Sequence, residues 1–113
     1  MALLKGTLDA LVLKALVGQP RHAFEITRWI EDGSAGDIGI ESAALLQSLH
    51  RLEEKDFVSG GWGVTENNRR ARYYSLTDTG RAHLRAETES LRQSVAALAA
   101  LLEFRTPSPR GSR

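Results

Sequence analysis

At 113 residues, 42% hydrophobic and 26% charged, the chain can build one packed core but not a second, and its composition lies outside the disordered and membrane-spanning classes. The absence of cysteine excludes disulfide staples, thiolate metal sites and cysteine nucleophiles. A net charge of +1 carries no message by itself, but the charge is sorted: Arg69, Arg70 and Arg72 lie in residues 67–74 without an acid, whereas residues 25–37 are acid-rich.

Leu4, Leu8, Leu11, Val12, Ala15 and Leu16 recur at steps of three and four, which predicts an opening amphipathic helix that ends near Gly18 and Pro20. Asp9 and Lys14 interrupt the apolar run over 8–17, so it is neither a membrane span nor a signal-peptide core, and a soluble cytoplasmic protein with no membrane partner is expected. Ala23, Ile26, Trp29 and Ile30 mark a second helix, closed by Gly33-Ser34-Ala35-Gly36. A third, over 41–55, has the core stripe Leu45, Leu49 and Leu52, with Ser42 as a candidate cap. About 100° of turn per residue then places Ala43, Leu46, Gln47, His50 and Arg51 on or beside its outer face.

Two β-prone segments follow, Phe57 to Trp62 and Ala71 to Leu76, joined by residues 63–70 with Asn67, Asn68, Arg69 and Arg70. They predict a hairpin with a long basic tip. Tyr73 and Tyr74 alternate across the second strand, so one faces the core, with Tyr74 favoured, and the other a surface or phosphate. Thr77 stands where an N-cap belongs, three residues before Gly80, and opens a last long helix. In it Leu84, Thr88, Leu91, Val95, Leu98 and Leu102 alternate steps of four and three, a heptad seam for which the chain offers no obvious partner. The proline-containing tail after Phe104 is expected to be disordered.

Three helices, a hairpin and a further helix give a mainly α fold with a small β-hairpin: a winged helix-turn-helix over 3–76, a C-terminal dimerisation helix over 77–104 and a tail over 105–113. In such a fold the third helix meets the major groove and the hairpin lies along the backbone or minor groove of double-stranded DNA. Arginine's planar fork suits phosphate, which makes Arg69, Arg70 and Arg72 candidate contacts, with Asn67 and Asn68 as neutral donors beside them.

Leu3-Leu4-Lys5-Gly6-Thr7-Leu8-Asp9, Leu49-His50-Arg51-Leu52-Glu53, Trp62-Gly63, Glu66-Asn67-Asn68-Arg69-Arg70-Ala71-Arg72-Tyr73-Tyr74 and Leu76-Thr77 with Gly80 together resemble the PadR family of transcriptional regulators, over roughly residues 3 to 104. The resemblance implies a homodimer built on the C-terminal helix (Leu84, Leu91, Val95, Leu98, Leu102), completed by the first helix (Leu4, Leu8), that represses by occupying a palindromic operator. It implies DNA contacts from Ser42, Ala43, Leu46, Gln47, His50 and Arg51 in the third helix and from Asn67, Asn68, Arg69, Arg70, Arg72 and Tyr73 in the wing. Two departures bear on this. Leu46 replaces a tyrosine common in the recognition helix, which shifts base reading toward Gln47, His50 and Arg51, and Ala23-Phe24-Glu25 replaces a small-aromatic run after the histidine of helix two.

Trp29 and Trp62 are candidates for lining a pocket for a small aromatic effector, although Trp29 shares a stripe with Ile26 and Ile30 and fits the core. His22, His50 and His83 fall in three separate elements, without the spacing of a zinc site, and neither metal nor cofactor is expected. There is no phosphate loop, no nucleophile with a base and no paired acids at useful spacing, so an enzyme is not expected. A protein-interaction module that uses the same fold without DNA is the alternative that Leu46 and the low net charge keep open.

Overall fold

The computed structural model describes residues 6–105. Its elements in chain order are α1 (Thr7–Ala15), β1 (Arg21–His22), α2 (Ala23–Gly33), α3 (Ser42–Glu54), β2 (Val58–Val64), β3 (Arg70–Leu76) and α4 (Asp78–Glu103). Leu4 and the tail beyond Arg105 lie outside the described residues.

The helices form where the apolar period requires. Val12, Leu13 and Leu16 from the α1 segment, Ile26 and Ile30 from α2, and Leu45, Leu49 and Leu52 from α3 are all buried in one cluster, which Val58, Tyr74 and Leu84 close from the wing and α4. Trp29 packs against this cluster while half-buried. Ser42 is not the cap of α3: Glu41 holds the N-cap position in an extended conformation without a side-chain bond, and Ser42 stands exposed in the first turn. At the far end Asp56 takes the left-handed conformation (φ 65°), and the Phe57 amide donates to the Leu52 carbonyl at 2.9 Å, so the chain turns sharply into the wing.

The sheet has three strands in the order β1-β3-β2, all antiparallel, rather than a bare hairpin. Arg21 pairs with Tyr74 and His22 with Tyr73. Two residues are too few to show a period of two, so β1 left no trace in the pattern. His22 then caps α2: its Nδ1 accepts from the Glu25 amide at 3.3 Å, and Glu25 Oε1 accepts from the His22 amide at 3.1 Å, a capping box with an imidazole where a hydroxyl is usual.

Thr77 caps α4 as expected. Its Oγ1 accepts from the Gly80 amide at 2.9 Å and donates to the Asp56 carbonyl at 2.7 Å, tying the helix start to the turn before β2. Thr77→Ala should therefore lower unfolding stability by about 1–2 kcal/mol, read as an earlier urea midpoint with unchanged slope. Beyond its first turns α4 leaves the domain. Leu84 is buried in the core and Leu91 is partly covered, but every described residue from Arg92 onward is exposed.

Candidate nucleic-acid interface

Burial of Leu45, Ser48, Leu49 and Leu52 fixes the rotation of α3, and this leaves Ser42, Ala43, Leu46, Gln47, His50 and Arg51 exposed on the opposite side. Leu46, Gln47, His50 and Arg51 border one shallow depression on that face. His50 Nε2 lies 3.6 Å from Glu54 Oε2 one turn on, with both side chains open to solvent. Arg51 is held more firmly: Nη2 donates to Asp9 Oδ1 on α1 at 2.7 Å and Nε to Oδ2 at 3.3 Å. This bonding raises the Arg51 pKa above its ordinary value.

The register of β2 and β3 sorts the wing into two faces. Arg70 pairs with Val64, Arg72 with Trp62 and Tyr74 with Gly60, so Arg70, Arg72, Tyr74 and Trp62 share the face turned to the core and α3. Toward the base of the wing that face is buried by Tyr74; further out it carries Arg72, whose Nη2 donates to Glu53 on α3. That hydrogen bond also raises the Arg72 pKa. Gly60 makes the reach possible, because a Cβ there would lie 2.5 Å from the Arg72 guanidinium. The Arg70 guanidinium stacks over the exposed Trp62 ring at 4.5 Å and that of Arg72 at 5.9 Å, so the indole carries two cations on its surface.

The tip is shorter than expected because both strands run on, β2 to Val64 and β3 from Arg70, which leaves only residues 65–69 as the turn. The Thr65 amide donates to the Arg69 carbonyl and the Asn68 amide to the Thr65 carbonyl, while Asn68 sits at φ 62°, a conformation asparagine tolerates. Asn67, Asn68, Arg69 and Arg70 are exposed there, and no acid pairs with Arg69 or Arg70 among the described residues. Tyr73 belongs to the other face of the wing. Its ring lies over Gly63, meets His22 edge-on at 5.3 Å, and its hydroxyl donates to the Val64 carbonyl at 3.4 Å. The structure thus places Tyr73 away from the arginines, along a cleft of about 770 Å³ shared with His22, Phe24, Trp29 and Asn67. Trp62 stands on the opposite face, so the two tryptophans do not meet.

Sequence reasoning missed Trp62 as a seat for arginine and Asp9 and Glu53 as acidic partners. Only the neighbouring Gly60 and Gly63, which leave room for side chains from β3, hinted at the former. His22, His50 and His83 stay apart, and among the described residues no group of three or more His, Asp or Glu could hold a metal. No helix among them is long and apolar enough to cross a membrane.

A buried three-helix core, a half-exposed third helix and an antiparallel wing paired to a short strand before α2 define a winged helix-turn-helix, extended by one long helix. The family model for PadR-like transcriptional regulators matches residues 12–86, and the chain belongs to that family. A transcriptional regulator from Clostridium thermocellum has a similar structure, with TM-score 0.79 and 20% identity over 88% of this chain and 96% of that one. A PadR family regulator from Eggerthella lenta gives TM-score 0.74 and 27% identity over 89% and 86%. Bacillus subtilis PadR, solved in complex with operator DNA, gives TM-score 0.63 and 16% identity over 91% of this chain and 51% of that one.

Proposed function

We propose that the chain is a homodimeric, sequence-specific DNA-binding repressor. Its third helix enters the major groove through Ser42, Ala43, Leu46, Gln47 and His50, while Arg69 and Arg70 at the wing tip hold the phosphate backbone. The observation that carries this reading is the arrangement of cations. Arg51 and Arg72 are each held by an acid on a neighbouring element, whereas Arg69 and Arg70 project from the wing tip with no partner acid among the described residues, at the start of a strand tied through Arg72 and Glu53 to the recognition helix. Wing and helix are thereby set at a fixed angle, as reading a groove beside its backbone requires. Membership of the family supports the reading, as does the likeness in fold to a regulator solved on its operator. Dimerisation through Leu91, Val95, Leu98 and Leu102 of α4, with Leu8 of α1 helping to complete the interface, gives two such surfaces related by a twofold and a palindromic target.

In the variant Arg69→Ala, Arg70→Ala, affinity for a duplex selected from random-sequence DNA should fall about tenfold or more near 0.15 M salt, and the slope of log K against log salt should become shallower by about 2. Filter binding or anisotropy at several salt concentrations measures both. Unchanged affinity and slope would remove the wing from the interface, and failure of the unaltered chain to enrich any duplex would favour a protein-interaction module.

A further inference from the structure

Asp9 on α1 is the centre of a polar clamp that reaches the recognition helix at two points. Ser48, fully buried, donates its hydroxyl to Asp9 Oδ1 at 2.5 Å, and Arg51, one turn on, donates to both carboxylate oxygens. The guanidinium approaches sideways through Nε and Nη2, so Nη1 and the outer hydrogen of Nη2 have no partner among the described residues, and the side chain remains 48% exposed. Free arginine has many rotamers to lose on binding; one already fixed by two charge-assisted bonds has lost them in folding. Arg51 stands near the C-terminal end of α3, beside His50 and Gln47, where a recognition helix meets the backbone at the lip of the groove rather than the base edges.

We propose that Asp9 is a positioning residue for DNA recognition: it aims the free edge of Arg51 at one phosphate and so sets the register in which Gln47 and His50 meet the bases. The proposal rests on the DNA-binding reading above and adds to it a residue that touches no DNA. Ser48 has a separate part, because its bond to Asp9 holds the carboxylate in place while Arg51 turns its remaining donors outward.

The test is a double-mutant cycle on the full chain, using the duplex selected from random-sequence DNA and an unselected duplex of equal length. Asp9→Asn is expected to weaken binding to the selected duplex about tenfold while binding to the unselected one stays level or rises, since an acid has been removed. In the Arg51→Ala background the same change should cost less than twofold. Arg51→Lys, which keeps the charge but not the fork, should lose nearly as much as Arg51→Ala on the selected duplex with the salt slope preserved. An Asp9→Asn loss that persists undiminished without Arg51 would overturn the proposal, as would tighter binding of the selected duplex by Asp9→Asn. If Asp9→Asn does not fold by circular dichroism, the lysine variant decides: wild-type affinity there refutes positioning, and a loss matching alanine supports it. A wild-type chain that enriches no duplex sinks the DNA-binding reading itself, and this proposal with it.

Discussion

A chain carrying Val95→Glu and Leu98→Glu should sediment as a single subunit and bind the selected duplex at least about a hundredfold more weakly than the unaltered chain, the scale on which joining two modules raises avidity. The expectation follows from where α4 stops being covered. Leu84 is used inside the domain, but Val95, Leu98 and Leu102 are 63%, 49% and 86% exposed, on successive a and d positions of the heptad. Fully burying a side chain of this kind is worth about 1.5–3 kcal/mol, so a paired seam gains on the order of several kcal/mol per chain, and two carboxylates placed in it would have to be desolvated without a partner. The core of the winged helix lies elsewhere, so helical content and the cooperative unfolding of the domain should persist. Ser90→Glu, which places one carboxylate off the seam, should leave both subunit count and affinity unchanged. Sedimentation velocity and anisotropy on the three proteins check this, and a double variant that stays dimeric would place the interface on another surface.

Gly80→Ala is expected to destabilise the fold more than any other single methyl addition at a described glycine. A Cβ on Gly80 would lie 2.0 Å from the Phe57 carbonyl oxygen, 2.8 Å from its carbon and 3.0 Å from Leu76 Cδ1. The first two belong to backbone, and the same carbonyl accepts from the Thr77 amide at 3.1 Å, so it cannot retreat without loosening the junction of wing and α4. Relief requires α4 to lift from the turn that precedes β2, which also pulls Leu84 from the core. Overpacking of a rigid site costs typically about 1–3 kcal/mol and at times more, and the upper end of that range is expected here. A melting temperature lower by roughly 10–20 °C would follow for a domain of this size. Gly61→Ala, where nothing lies within 4 Å of the added atom, serves as control and should melt within a few degrees of the parent. If Gly80→Ala melted with the control, the contact between α4 and the Phe57 carbonyl would be looser than the structure has it.

The elements that sequence reading located are those whose cause is local. Stripes such as Leu45, Leu49 and Leu52 announce a helix because side chains three and four apart share a face, and Thr77 announces a start because its partner amide is three residues away. Strand alternation puts one of Tyr73 and Tyr74 inside, and the favoured one, Tyr74, is the buried one. Local rules failed where an element was too short for a period, as with Arg21–His22, or where the cap was an imidazole, as with His22.

By itself, then, the order of residues determined three helices, a basic hairpin, a capped final helix and an apolar seam facing outward, because each depends on interactions within one or two turns of chain. Which arginines are held by an acid was decided only by tertiary structure. Arg51 meets Asp9 across 42 residues and Arg72 meets Glu53 across 19, while Tyr73 turns to the opposite face of the wing from Arg70 and Arg72. Charges so far apart in sequence find each other through the packing of α1 and the wing against α3, a matter of relative placement that no periodicity encodes.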